Sequence, residues 1–185
     1  MASIISAGTT SGTALNLSGD TTGNLAFTTQ AGANTITIAN QTGTLNPAGP
    51  TFSAYQSSSQ TVSNNTNTKV LFQTELWDTN SNFASSTFTP TVAGYYQINA
   101  VLAMGSNWTQ ELWVSIFKNG TEYKRGFDSS SSGSSPWLLV VSGLVYCNGT
   151  TDYIEIYTYQ NSGSSKTTYP GQPYCWFDGC LIRGA

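Results

Sequence analysis

Nine carboxylates, three cysteines and no histidine make up the reactive inventory of this 185-residue chain. Two acidic pairs lie close in sequence, Glu75 with Asp78 and Asp152 with Glu155. Paired acids suit glycoside hydrolysis, where one carboxyl protonates the leaving oxygen and a second, about 5 to 10 Å away, attacks or activates water. In an extended chain, however, Asp152 and Glu155 are an odd number of residues apart and point to opposite faces. The missing histidine removes Ser-His-Asp and Cys-His triads, histidine zinc motifs and the usual general base near neutral pH. No Gly-rich phosphate loop or dinucleotide fingerprint occurs. Cys147, Cys175 and Cys180 are odd in number and lack metal-ligand spacing. They read as buried or half-buried free thiols of a protein made in a reducing cytoplasm. No Asp/Asn-rich loop offers a calcium ligand set. The expectation is a non-enzymatic protein with no catalytic, cofactor or metal residues to assign.

The composition narrows the partners. Charged residues are 8% of the chain and aromatic residues 12%, so solubility rests on Ser, Thr, Asn and Gln, as in many extracellular or virion β-proteins. The aromatic side chains supply apolar surface to bury, which argues against a disordered main body. The formal charge is -3, and Lys69, Lys118, Lys124, Arg125, Lys166 and Arg183 are scattered singly or once as a pair. Nucleic-acid binding would call for a basic stripe, so no nucleic-acid partner is expected. Apolar runs such as Trp137–Val141 fall far short of the roughly 20 residues of a membrane span, so no membrane partner is expected either. The start, "MASIISAGTTSG", has neither the cationic head nor the apolar run of a secretory leader.

The elements that would hold these residues are strands. Residues 1–49 carry one charge, Asp20, and repeat short alternating apolar pairs: Leu15 and Leu17, Leu25 and Phe27, Ile36 and Ile38. Such pairs between Gly/Asp/Asn turns read as short strands with too few large side chains for a core of their own. "NPAGP", Asn46 to Pro50, breaks the pattern. The division expected is an attachment arm, 1–49, and a head, 50–185. In the head the pattern predicts strands at Thr51–Tyr55, Lys69–Thr74, Gly94–Met104, Leu112–Lys118, Thr121–Phe127, Trp137–Cys147, Asp152–Tyr159 and Cys175–Arg183, with no substantial helix. Asn119-Gly120 and Asn148-Gly149 have hairpin-turn chemistry. Pro90 and Gly94 are read as ending one strand and aiming the next. Past Gly94, alternation gives Tyr96, Ile98, Ala100 and Leu102 a core face and leaves Tyr95, Gln97, Asn99 and Val101 on the other. Eight strands in some 135 residues suit an antiparallel two-sheet sandwich or jelly roll.

Four stretches in order, "KVLFQTELWDTNSNFASSTFTPTVAGYYQINAVL", "WVSIFKNGTEYKRG", "SGLVYCNGTTDYIEIYTY" and "CWFDGCLIR", carry a likeness. They contain an F-x-P-x-x-x-G-x-Y element (Phe88, Pro90, Gly94, Tyr96, with one residue of slack), a K-N-G turn (Lys118 to Gly120), a late-strand entry (Thr151, Asp152, Ile154) and a closing F-x-G-x-L-I strand (Phe177, Gly179, Leu181, Ile182). From about Phe52 to Arg183 the chain resembles the globular head of the complement first component, within the tumour-necrosis-factor-like jelly-roll superfamily. It departs in having Thr151 where a glycine is expected and no Gly-X-Y stalk before the head. The N-terminal block is similar to polar β-rich segments of bacteriophage virion proteins, in which such heads also occur.

The resemblance implies a homotrimer packed through aromatic and aliphatic side chains. The candidate interface is Tyr146, Tyr157, Tyr159, Trp176 and Phe177, since "YIEIYTY" leaves tyrosines on the face opposite Ile154 and Ile156. The function expected is a homotrimeric capsid decoration (cement) protein of a phage virion, assembled in the host cytoplasm. Leu15, Leu17, Leu25, Phe27, Ile36 and Ile38 of its arm would engage the major capsid protein or another virion protein. The alternative is the tip of a tail fibre or adhesin, with loops Ser57–Thr68, Ser129–Ser135 and Asn161–Lys166 contacting a host-surface glycan or protein.

Overall fold

A computed structural model describes residues 49–105, 111–128 and 137–185, all inside the compact unit Pro47–Ala185. Among the described residues there is no helix, and thirteen strands follow in order. They are β1 (Thr51–Tyr55), β2 (Thr61–Val62), β3 (Thr68–Lys69), β4 (Thr74–Asp78), β5 (Phe83–Ala84), β6 (Thr87–Phe88), β7 (Gly94–Met104), β8 (Leu112–Lys118), β9 (Thr121–Asp128), β10 (Trp137–Cys147), β11 (Ile154–Gln160), β12 (Lys166–Thr167) and β13 (Trp176–Gly184). Sheet one runs β10-β7-β13-β1-β4 and sheet two β5-β6-β11-β8-β9, with β3 also on β11. Every pairing is antiparallel. The architecture is the expected all-β, antiparallel two-sheet jelly-roll sandwich.

Period-two alternation sets what lies between the sheets. Tyr96, Ile98, Ala100 and Leu102 of β7 are fully buried, as are Ile154 and Ile156 of β11 and Val114 and Ile116 of β8. One end of this core is aromatic: Phe52 stacks on Phe88 at 4.3 Å and on Phe83 at 4.9 Å, and meets the edge of Phe177 at 4.8 Å and 89°. Gly179 is required there, because a Cβ would stand 2.8 Å from both Ile98 and Phe52. The adjacent tyrosines divide between faces. Tyr96 is buried and donates its hydroxyl to the Val92 carbonyl at 2.7 Å, while Tyr95 is exposed.

One turn expectation changes. Asn119 and Gly120, both with positive φ (53° and 75°), close the β8–β9 hairpin as their chemistry predicts. Asn148-Gly149 instead crosses between sheets, because β10 belongs to sheet one and β11 to sheet two. Its local bonds explain the shape. The Asn148 side chain accepts the N–H groups of Thr150, Thr151 and Asp152, and Asp152 accepts that of Asn148. Gly94 is the first residue of β7, as predicted, and a Cβ there would lie 2.4 Å from the Arg183 carbonyl oxygen. The expected strand Lys69–Thr74 is two shorter ones, β3 and β4. Between them Gln60 and Ser86 side chains take the Leu71 and Phe72 N–H groups in place of a ladder.

The sandwich has two unlike ends. At the end where the chain enters at Gly49 and stops at Ala185, short turns are locked by Asp78, Asn82, Asn119, Asn148 and Asp152. At the far end, longer loops are held by buried amides. Gln56 donates to the Leu71 carbonyl (3.0 Å), Gln160 to those of Val62 (3.1 Å) and Ser164 (2.9 Å), and Thr168 donates its hydroxyl to Gln56.

Candidate functional site

The antiparallel register of sheet one lays its outward side chains in rows. Tyr146 stands opposite Tyr95, and Leu144 is opposite Gln97 and then Cys180. The next row is Ser142, Asn99, Asp178, Ser53 and Trp77, and the next Val140, Val101, Trp176 and Tyr55. Tyr95, Leu138, Val140, Leu144, Tyr146 and Ile182 are all exposed, Leu138 at 52% and Ile182 at 60%. A groove of about 680 Å³ runs between Tyr95, Leu144, Tyr146, Ile182 and Arg183, and a shallower hollow of about 220 Å³ between Thr51, Trp77, Asp178 and Cys180. Single exposed apolar side chains are ordinary in soluble proteins, whereas a gathered set makes this face the candidate contact surface.

Across the middle of this apolar face runs a polar belt. Gln97 donates to Ser142 (2.9 Å) and Asn99 (3.0 Å), Ser142 donates to the Asn99 carbonyl oxygen (2.8 Å), and the Asn99 amide donates to Asp178 (3.0 Å). Burial pushes the Asp178 carboxyl above the ordinary carboxylate range, and the Asn99 bond opposes this only in part.

Sheet two presents a different outward side. The Arg125 guanidinium lies 4.0 Å over Trp113, whose ring stacks on Tyr159 at 3.9 Å and 15°. Phe117 stacks on Tyr157 at 4.2 Å and is 7% exposed although it faces away from the core. Glu155 accepts bonds from Lys69 (2.6 Å) and Thr87 (3.0 Å), and Glu122 from Ser115 (2.6 Å) and from Arg125 through two nitrogens. The hydrogen bond from Arg125 leads the causes that hold the Glu122 carboxyl below its ordinary value, against burial. Trp113 covers Tyr159 and Phe117 covers Tyr157, Glu155 and Glu122 each meet a cation, and Tyr123 of β9 stays exposed.

The five candidate interface residues are therefore divided. Tyr146 and Trp176 are on the outward face of sheet one, and Tyr157 and Tyr159 on that of sheet two. Phe177 belongs to neither surface: it is 0% exposed inside the sandwich. Neighbouring residues of a strand point to opposite faces, so Trp176 and Phe177 cannot share one. This corrects its place among the interface candidates. Leu15, Leu17, Leu25, Phe27, Ile36 and Ile38 lie outside the described residues, as does the loop Ser129–Ser135. Leu138, Val140, Leu144 and Ile182 were not singled out, although a signal existed. Every second residue of "WLLVVSGLVYC" from Leu138 is apolar except Ser142, while Leu139, Val141 and Val145 already supply a core face.

Of the carboxylates considered for hydrolysis, Asp78, Asp152 and Glu155 are engaged in turns and ion pairs, and Glu75 is exposed. Asp152 accepts the Asn119 amide at 2.7 Å and pairs with Lys118 at 2.9 Å. The Asn119 bond leads the causes that hold its carboxyl below the usual range, against burial. Asp78 accepts the Phe83 N–H at 2.7 Å. Cys147 and Cys175 are buried thiols pushed up to about 11 by desolvation, while Cys180 is half-buried on the outward face of sheet one. Among the described residues no three His, Cys, Asp or Glu side chains gather as metal ligands would.

No family model and no curated protein matches this chain. Solved structures do. The "Globular Domain of Zebrafish Complement 1qA protein" superposes with a TM-score of 0.58 at 17% identity, covering 74% of this chain and 99% of that one. The "Eiger TNF from S. frugiperda" gives 0.59 at 8% identity, covering 74% and 94%. The "PRD1 vertex protein P5" gives 0.52 at 14% identity, covering 72% and 97%. The head is a TNF/complement-head-like jelly roll. In this jelly roll the open apolar face belongs to the sheet that carries the first and last strands, β1 and β13, and the ring-stacked face to the other sheet.

Proposed function

We propose that this protein is a non-enzymatic structural protein of a phage virion, a homotrimeric decoration protein of the capsid. In this reading residues 1–49 form the arm that attaches to the major capsid protein or another virion protein, and the jelly-roll head stands outward. The observation that carries the trimer is the contrast between the two outward faces. Sheet two stacks Trp113, Phe117, Tyr157 and Tyr159 in pairs and leaves Tyr123 exposed, whereas sheet one leaves Tyr95, Leu144, Tyr146 and Ile182 around an open groove. Three copies packed through that face would remove this surface from water, each Å² of apolar area contributing about 25 cal/mol before the cost of association. Tyr146 and Trp176 remain interface residues in this proposal. Tyr157 and Tyr159, already stacked on Phe117 and Trp113, are assigned to its margin.

The virion setting is supported by the likeness of the head to a phage vertex protein and by the nearly uncharged, strand-patterned arm. Attachment by three linked arms would turn three weak contacts into a tight one at a three-fold position of a shell. A protein that binds only the assembled shell stabilises it by mass action. Light scattering on the full chain tests the trimer, with a mass three times the 19.7 kDa chain expected. Counting copies per purified particle tests the location. Hundreds over the shell support decoration, and one to three dozen at the tail would instead support the host-attachment reading.

One observation favours that second reading. At the far end Tyr169 and Tyr174, both exposed, meet edge to face at 4.9 Å on a loop fixed by the Gly171 N–H to the Gln56 carbonyl. Rigid exposed tyrosines are effective contact residues for a glycan or protein.

A further inference from the structure

An apolar self-association face gains from every aliphatic row, so the belt through its centre is the feature to explain. Asp178 sits in that belt between Asn99 on β7 and Ser53 on β1, with Ser142 and Trp77 completing the row on β10 and β4. One carboxylate oxygen takes the Asn99 amide, and the Asn99 carbonyl is already used by Gln97 and Ser142. Asn99 therefore offers Asp178 a single neutral donor. The titratable and charged groups around it are few. On its own strand Cys180 is two residues on and Arg183 lies beyond the bulge, opposite Tyr95. On β1 there is Tyr55, one row away. β4 carries Glu75 and Asp78, in register with the core residues Ala54 and Phe52, and Asp78 is engaged by the N–H groups of Asn80 and Phe83. β7 and β10 contribute Tyr95 and Tyr146. No Lys or Arg shares the row, and Lys118, over the Tyr146 ring, is paired with Asp152.

We propose that association of copies across this face is coupled to uptake of a proton by Asp178, so that the trimer tightens as the solution is acidified. The inference rests on the reading of this face as the contact between copies. A carboxylate with one neutral donor keeps its charge only while water reaches its other oxygen. Covering the face removes that water, and nothing in the row supplies a cation to replace it. A neutral carboxylic acid is tolerated there and can itself donate a hydrogen bond to the incoming copy. Partial burial in the lone chain already moves the group in this direction. Assembly therefore raises its proton affinity further. By linkage, a state that binds protons more tightly is favoured as pH falls through the window between the lone-chain and assembled values. Within that window the association constant changes by up to about tenfold per copy per pH unit.

Sedimentation equilibrium of the full chain from pH 4.5 to 8 at fixed ionic strength tests this. Wild type is expected to associate more tightly toward acid. Asp178→Asn, which keeps an acceptor for Asn99, is expected to associate at pH 8 as tightly as wild type does in acid, with a flattened profile. Asp178→Ser, which removes the carboxylate with a smaller side chain, serves if the amide variant misfolds by circular dichroism. A wild-type trimer whose affinity does not change with pH, or rises with pH, overturns the proton coupling and leaves the face reading standing. A pH profile retained in both variants does the same. A chain that stays monomeric at every pH overturns the face reading, and the coupling with it.

Discussion

The outward faces of the two sheets carry similar side chains to different ends. Sheet two has Trp113, Phe117, Tyr157 and Tyr159, and sheet one Tyr95, Tyr146, Trp176 and Trp77. On sheet two the cross-strand register of β8 and β11 places Trp113 opposite Tyr159, and the Phe117 and Tyr157 rings also meet and stack. The β8–β9 hairpin then brings Arg125 over the free side of Trp113. On sheet one the Tyr95–Tyr146 pair is tilted at 5.4 Å, and its neighbour Leu144 stands opposite Gln97, not a ring. Aromatic content alone therefore does not identify a contact surface. What matters is whether the register lets rings cover one another.

Four substitutions break or sharpen that contrast. The largest effect is expected at Phe177, which belongs to neither face. Phe177→Ala should lower unfolding stability by about 3–5 kcal/mol in denaturant titrations, and a stable protein with an altered mass would return this ring to the surface. Leu144→Arg, in the wall of the open groove, should cost the assembly about 2–4 kcal/mol per contact, as central interface residues do. Light scattering should then show single chains with a near-normal melting temperature, and an unchanged trimer would remove the groove from the interface. Trp113→Ala on sheet two should do the reverse: about 1–2.5 kcal/mol less stability from the lost ring stack and cation contact, at unchanged mass.

The smallest effect concerns the corner where the two sheets meet. Lys118, at the end of β8, lies 5.7 Å over Tyr146 of β10 and pairs with Asp152. The folded-state carboxyl of Asp152 is held down, so its contribution to stability is present above the unfolded value and lost as pH falls through the folded one. Asp152→Asn should therefore lower the urea midpoint at pH 6 while narrowing its gap from wild type at pH 3. An equal gap at both pH values would assign the loss to the Asn148 turn, not to the charge.

The strand pattern was readable because each long strand alternates over many residues. Gly94–Met104, Leu112–Lys118 and Trp137–Cys147 have the bounds that alternation and turn residues predict. Short strands such as β2 and β5 carry too few residues to alternate. β4 has a bulge at its pairing with β1 that shifts Leu76 and Trp77 out of simple period two. In the candidate interface, Tyr146 was legible as a surplus ring, whereas Leu144, Val140 and Leu138 were passed over because an apolar run does not say which of its two faces is inside. Phe177 failed for the same reason, in reverse.

From the sequence alone came the class and the limits: strands without helices among the described residues, no histidine chemistry, no basic stripe, and a compositional break at Asn46–Pro50. These depend on residue types and on periods of two, which a chain carries before it folds. Only the tertiary structure decided which aromatic residues are hidden, which are stacked and which are bare. That depends on register between strands distant in sequence, where β1 meets β13 and β7 meets both β13 and β10, and no local pattern records it.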